Sequence, residues 1–333
     1  MEKNIKDKIL EYCNSIGLDL VGFTECRVFD ELRGFYESRK ELSLENEFEE
    51  KDIDKRVNPN HYYNKGKTIV SIAFPYLHAC EYVDNGFSVY TRGNDYHKVV
   101  LEYLEKVAGF IRGLGGEAYC FVDSNTLPER YIAYLAGIGF IGKNNMLITE
   151  KYGSYVFLGE IITDLEIDNS TNLTFESLNK FINCGECNIC HNECPTKAIN
   201  SKRKNPNICL SYITQKKDID DIWFDKLEGR IFGCDSCQKH CPYNEKAKRS
   251  SLMEFYPLDF MNEEDSKKLI YINNEEFKNK LKITSCGWRG KNIIIRNSLI
   301  RNYDKNKMEF EDIKFQSPYL KDYLNRLYEK SNL

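Results

Sequence analysis

A chain of 333 residues exceeds the size at which a single hydrophobic core stops growing, about 250 to 300 residues, so two or three domains are expected. A net charge of −4 excludes a protein that coats nucleic acid through overall basicity, and any polyanion site must be local. Thirteen cysteines suit a disulfide scaffold or a metal protein; the start "MEKNIKDKILEYCNSIG" carries no apolar leader, so reduced thiols and a cytoplasmic location are expected.

In chain order, the opening residues read as a helix with Ile5, Ile9, Tyr12, Cys13 and Ile16 on one face, followed by the strand-like "LDLVGFTEC". The run "ELSLENEFEEKDID", 41–54, sets seven acidic residues against one lysine and reads as a solvated face without chemistry. "KTIVSIAFPY" reads as a buried strand, "DYHKVVLEYLEKVAGFIRGL" as an amphipathic helix, "GEAYCFVD" as a strand and "LPERYIAYLAGIG" as a second helix. "NMLIT" and "YGSYVFLGEIITDL" read as a pair of strands. This alternation predicts a mixed, layered α/β or α+β domain over 1–177. A cysteine-rich module follows over 178–250, then a helical region over 251–333 with "SLMEFYPLDF", "NEEFKNKL" and "GKNIIIRNSLIRNY" as short amphipathic pieces. No stretch reaches the roughly 18 consecutive apolar residues of a membrane span.

Eight cysteines fall into two groups. Cys184, Cys187, Cys190 and Cys194 precede Pro195 with the spacing CxxCxxCxxxCP; Cys234, Cys237 and Cys241 precede Pro242, with a lone Cys209 upstream. In bacterial ferredoxins such a run places three close thiolates on one cubane while the fourth crosses to the other cluster. Cys184, Cys187, Cys190 and a returning Cys241 are therefore expected on cluster 1, and Cys194, Cys234 and Cys237 on cluster 2. Cys209 is the obvious candidate for the missing ligand. Zinc asks for a closed tetrahedral set, usually two CxxC pairs, and fits these wide groups poorly. "CNICH" satisfies the haem-attachment pattern, but flanking cysteines in ferredoxin register argue against it. Cys13, Cys26, Cys80, Cys120 and Cys286 read as small buried hydrophobes.

"GIGFIG", Gly137 to Gly142, matches GxGxxG, but a helix precedes it and a strand follows, the reverse of a dinucleotide fold; a tight glycine turn is the better reading. In "FVDSNTLPER", Asp123 stands at a strand end before a helix, where it is either a proton donor with a raised pKa or a helix cap.

The ordered set "YTRGNDYH", "DSNTLPER", "AGIGFIGKNNMLIT", "YGSYVFLGEIITDL", "CGECNICHNECPTKAI", "CLSYITQ" and "GCDSCQKHCPYN" resembles the epoxyqueuosine reductases, from about residue 50 to residue 250. That resemblance implies an oxidoreductase with two [4Fe-4S] clusters and cobalamin that reduces epoxyqueuosine to queuosine at the wobble position of tRNA. The fold it implies is α+β: a layered corrinoid-binding domain, a ferredoxin-like module and a short, repeat-like helical tail that holds tRNA. Asp123 then becomes the proton donor, and Arg56, Asn144, Asn145, Met146 and Leu147 become contacts to the corrinoid. Cys209 matches the family's isolated cysteine. An external electron donor is implied but not identified, and the sequence leaves the oligomeric state open, a monomer among the options. This chain departs from the family at Thr126, where the family has proline, and at Lys216, where it has glutamate. Between Cys286 and Lys307 six basic residues stand against one acidic one, which suggests either a local phosphate-binding face or a merely solvated helix. The competing readings are a corrinoid iron–sulfur reductase of a small molecule, like the reductive dehalogenases, and a two-cluster electron-transfer protein without catalysis.

Overall fold

The computed structural model describes residues 4–168, 171–178, 180–200, 204–303 and 313–331. The first part runs α1 (Ile5–Ser15), β1 (Val21–Glu25), α2 (Arg33–Glu41), α3 (Ile53–Val57), β2 (Thr68–Pro75), α4 (Tyr96–Gly113), β3 (Ala118–Phe121) and α5 (Glu129–Leu135). The short ribbon β4 (Phe140–Ile141) and β5 (Leu147–Ile148) comes next, then β6 (Val156–Thr163).

Four strands form one sheet in the order β1-β2-β6-β3, and every neighbouring pair is antiparallel. The buried run of β2 explains how the layers form. Val70, Ile72 and Phe74 enter a core shared with α1 and α4, while Ile69 and Ala73 enter another built with α5, because successive side chains leave a strand on opposite faces. An unbroken apolar strand usually signals a parallel sheet; helices on both faces produce the same pattern here with antiparallel pairing. The expected mixed class therefore stands as a three-layer domain. Gly22 lets the end of α5 close onto β1, since a Cβ there would strike the Ala136 carbonyl.

One pairing expectation needs correction. "NMLIT" is not the hairpin partner of β6: Leu147 and Ile148 pair with Ile141 and Phe140 in the separate ribbon. The glycine turn between α5 and β5 has the anticipated helix-then-strand order, and Gly139 is required because a Cβ would meet the Ile148 carbonyl.

The cysteine-rich stretch contains α6 (Phe175–Leu178), α7 (Ile189–Glu193), α8 (Leu210–Ile213), α9 (Ile222–Lys226), α10 (Ser236–Lys239) and α11 (Pro242–Glu245), with α7 packed on α10. The tail adds α12 (Asn274–Asn279), α13 (Lys291–Asn302) and α14 (Pro318–Ser331). The boundaries read at 177 and 250 do not separate cores. Leu210, Phe224, Leu227 and Phe232 share one cluster with Ile294, Leu299 and Leu327 of the tail, while Leu252 and Phe255 pack into the α1–α4 layer.

"SLMEFYPLDF" forms two short 3-10 turns rather than an α-helix, and α13 is buried along Ile293–Ile300 instead of amphipathic. The basic tail is not a phosphate face at its centre. Arg296 is fully buried and donates to the carbonyls of Thr214, Lys216 and Lys217. Arg301 donates to the carbonyls of Gly229 and Asp84, and Arg289 to that of Gln215. Lys305 and Lys307 lie outside the described residues. The acidic run is likewise more than solvated: Glu49 accepts from Arg39 at 2.7 Å and Arg56 at 3.2 Å in a largely buried ion cluster.

Candidate functional site

The structure gathers eight cysteines into two quartets, none of them in a disulfide. Cys184, Cys187, Cys190 and Cys241 together line a cavity of about 250 Å³ with Lys143 and Tyr243. Cys194, Cys209, Cys234 and Cys237 form the other group, close enough for each charge to act on its neighbours. Burial pushes the Cys190 thiol up to about 11 and raises Cys209, Cys237 and Cys241; neighbouring thiolates add to the effect at all four. Among the described residues no three His, Cys, Asp or Glu converge on a single-ion site, so each quartet is wider than one ion needs. Four thiols around a cavity fit a cubane. Cys13, Cys26 and Cys286 are buried as expected, whereas Cys80 and Cys120 are only half-buried.

Lys143 and Asn144, consecutive in the glycine turn, reach one quartet each. Lys143 Nζ donates to the carbonyls of Gly185 at 2.6 Å and Cys187 at 3.0 Å. Asn144 Nδ2 donates to the Cys237 carbonyl at 3.2 Å. The turn thereby fixes the catalytic layer against both cysteine loops.

Asp123 lies two residues beyond β3 with φ +48°, a left-handed conformation that a non-glycine residue adopts at a cost of about 1 to 3 kcal/mol. Its loop is held from several sides. The Asp123 N–H donates to Glu129 Oε1 at 2.8 Å, the Thr126 N–H to the Tyr62 hydroxyl at 2.8 Å, and Thr126 Oγ1 to the Lys55 carbonyl at 2.9 Å. The carboxylate itself is about half exposed and sits 3.0 Å from His97 Nε2, whose Nδ1 is 2.7 Å from Asp95 Oδ1. Asp95 also caps α4, accepting from the His97 N–H, so one side chain fixes both the helix start and the imidazole. Burial pulls the His97 pKa down, but hydrogen bonds and charge from the two carboxylates outweigh it and hold it at about 9.

Sequence reasoning quoted His97 and Asp95 within "YTRGNDYH" and Glu129 within "LPER" without giving them roles; an aspartate two residues before a histidine at a helix start was the available signal. Glu160, a lone acid in an otherwise apolar strand, was also passed over.

Beside Asp123, half-buried and exposed polar side chains outline a candidate cleft. Glu129, Arg130, Tyr90 and Lys204 belong to it. Lys204 feels the charges of Arg130 on one side and of Cys184 and Cys190 on the other; burial first, then Arg130, lowers its pKa to about 8. Tyr90 feels both Asp123 and Asp235, the neighbour of Cys234. Charge thus couples the neighbourhood of Asp123 to that of both quartets.

The expected corrinoid contacts divide. Asn145, with φ +67°, reaches the cleft, its carbonyl accepting from Arg130 Nη1 at 2.6 Å and its Oδ1 from Lys204 Nζ at 3.3 Å. Met146 is half-buried. The side chains of Asn144 and Leu147 are buried, the former beside the cavity of Cys184, Cys187, Cys190 and Cys241 and the latter in the core. Arg56 spends its guanidinium on Glu49 and on the face of Tyr36, 3.9 Å from its centroid.

A three-layer domain carrying two cysteine quartets defines a redox protein with iron–sulfur centres. Residues 183–244 match the 4Fe-4S double cluster binding domain family, and residues 56–124 match epoxyqueuosine reductase QueG, DUF1730. The epoxyqueuosine reductase of Bacillus subtilis (strain 168) is 35% identical over 308 residues, covering 89% of this chain and 78% of the relative. That of Lactococcus garvieae (strain Lg2) is 33% identical over 306 residues, covering 89% and 85%. A crystal structure of epoxyqueuosine reductase with a tRNA-Tyr epoxyqueuosine-modified tRNA stem loop superposes with TM-score 0.87 at 32% identity, covering 98% of this chain and 90% of the other. The chain belongs to the epoxyqueuosine reductase family. Among the described residues no helix is long and apolar enough to cross a membrane.

Proposed function

We propose that this chain reduces epoxyqueuosine to queuosine in tRNA, expelling the epoxide oxygen as water. The balance is epoxide plus two electrons plus two protons giving alkene plus water. Two [4Fe-4S] clusters and cobalamin, when bound, supply low-potential electrons and a reducible cobalt centre. Cys184, Cys187, Cys190 and Cys241 hold cluster 1; Cys194, Cys209, Cys234 and Cys237 hold cluster 2. Asn145, Met146, Arg130 and Lys204 are the residues that would hold the corrinoid. Arg56, Asn144 and Leu147 act through the backbone and packing of the cleft walls. Support for that placement comes from the polar groups near Asp123: Arg130 and Lys204 both donate to Asn145, and Lys204 feels the charges of Cys184 and Cys190.

The chain's own chemistry centres on a proton. An epoxide oxygen leaves as a poor alkoxide, so an acid at the cleft lowers the barrier. The observation that carries the reading is the Asp123–His97 contact of 3.0 Å. With His97 protonated up to about pH 9, the pair carries one transferable proton at neutral pH, whether it is drawn on nitrogen or oxygen. Asp95 keeps the imidazole aimed at Asp123, and Glu129 with Thr126 keeps the loop in its strained form.

Support for the tRNA substrate comes from the relative seen with a modified stem loop, and a cytoplasmic location fits a tRNA-modifying role. The mostly engaged arginines of the tail lend no support as phosphate contacts. Anaerobic reconstitution with iron, sulfide and cobalamin, followed by an absorption spectrum, tests the cofactor reading. Stoichiometric cobalt binding is expected; clusters without cobalt binding overturn it and leave an electron-transfer protein.

A further inference from the structure

Two protons are consumed per epoxide removed, and the Asp123–His97 pair supplies one. A second acid stands behind it. Glu129, the first residue of α5, accepts from the Asp123 N–H at 2.8 Å and from Asn125 Nδ2 at 2.7 Å. Deeper still, Glu160 on β6 is 0% exposed and lies opposite Phe121 in the β3–β6 pairing, two residues before Asp123. Glu160 Oε1 is 3.3 Å from Ser71 Oγ, while its Oε2 is buried with no hydrogen-bond partner.

The surroundings of Glu160 decide its charge. Ser71 from β2 offers one hydroxyl, Phe121 from β3 offers nothing polar, and Glu129 from α5 brings a second carboxyl; no cation among the described residues acts on it. A buried carboxylate without a cation costs several kcal/mol and takes up a proton instead. Burial, then the charge of Glu129, raises the Glu160 pKa well above the usual range, and Glu129 is itself raised to about 7, by burial first and then by Asp123. Protonation also gives the orphaned Oε2 a hydrogen to donate, and Glu129 is the carboxylate within electrostatic reach.

We propose that Glu160 is held as a neutral carboxylic acid and, with Glu129, stores the second proton of turnover. After the first proton has left Asp123, the Glu160 O–H breaks as an O–H forms on Glu129. That bond breaks in turn as the Asp123 carboxylate regains its proton, and solvent reloads the pair through the cleft. No electrons move in these steps; those of the reduction come from the clusters and their low-potential donor. The relay rests on the epoxide-reduction reading, whereas the neutrality of Glu160 does not.

Infrared spectra of the reconstituted full-length protein, with and without carbon-13 glutamate, test this. Wild type is expected to show a protonated glutamate carboxyl band persisting above about pH 7, where free glutamates are ionised. Glu160→Gln, a near-isostere that donates but cannot release a proton, is expected to lose that band. It is also expected to keep its iron and lower kcat at least about tenfold with KM little changed. If this variant does not fold, Glu129→Gln serves: removal of the neighbouring charge is expected to move the band's titration to lower pH. A missing band in wild type, a band that survives in Glu160→Gln, a band unmoved in Glu129→Gln, or unchanged turnover in Glu160→Gln overturns the proposal. Wild-type enzyme that shows the band but converts no modified tRNA overturns the reaction reading instead.

Discussion

His97 Nε2 stands 3.0 Å from Asp123 Oδ2, and the same ring is held from behind by Asp95 at 2.7 Å. An imidazolium between two carboxylates joins the start of α4 to the end of β3.

That pairing sets a pH profile. The folded His97 pKa is raised, so its stabilising contribution is complete below the unfolded histidine value of about 6.5 and is lost as pH rises through about 9. Turnover is expected to hold near neutrality and fall as pH passes about 9. His97→Gln should lower kcat at least about 100-fold, abolish that limb and leave iron content unchanged. A profile that His97→Gln does not alter removes His97 from the proton path.

Thr126 occupies the position where the resembled family has proline, and its N–H and hydroxyl tie the Asp123 loop to Tyr62 and Lys55. Thr126→Val deletes the hydroxyl bond and should cost about 1 kcal/mol in denaturant unfolding. It should also lower kcat, because Asp123 then leaves its left-handed conformation more easily. Equal kcat for both proteins would mean that Glu129 and Tyr62 hold the loop without the hydroxyl.

The division of thiols is open to an iron count. Cys209→Ser and Cys241→Ser should each reduce iron from about eight atoms per chain to about four, with different paramagnetic signatures remaining in the two variants. Identical residual spectra, or full iron in Cys209→Ser, would contradict the partition.

Arg296 separates a structural tail from a phosphate-binding one. Arg296→Met leaves the buried carbonyls of Thr214, Lys216 and Lys217 without this donor and should cost about 1 to 3 kcal/mol for each one left unsatisfied. The salt dependence of tRNA affinity should not change, since no phosphate contact is lost. A shallower slope with intact stability would restore the phosphate reading.

What could be read from the sequence was local. Ferredoxin spacing is legible because a cubane requires its thiolates within a few residues, and the buried run of β2 is legible because both its faces enter cores. His97 and Asp123 are 26 residues apart and meet only through the packing of α4 beside β3, which no periodicity encodes. Charge pattern likewise cannot tell a solvated arginine from Arg296, whose partners are backbone carbonyls belonging to another part of the chain. The helical tail was anticipated, but α14 was not, and α13 proved to be a core helix because its polar residues pair inside. Side-chain direction is the least legible: Asn144 and Leu147 share a motif with Asn145 but are buried.

The most direct test is mass analysis of nucleosides from tRNA carrying epoxyqueuosine, after anaerobic incubation with the reconstituted and reduced enzyme and, in parallel, its Asp123→Ala variant. The expected result is conversion to queuosine with loss of one oxygen by wild type, and none by Asp123→Ala at equal iron and cobalt content. Unconverted epoxyqueuosine in the wild-type reaction, with clusters and cobalt intact, would contradict the assigned substrate.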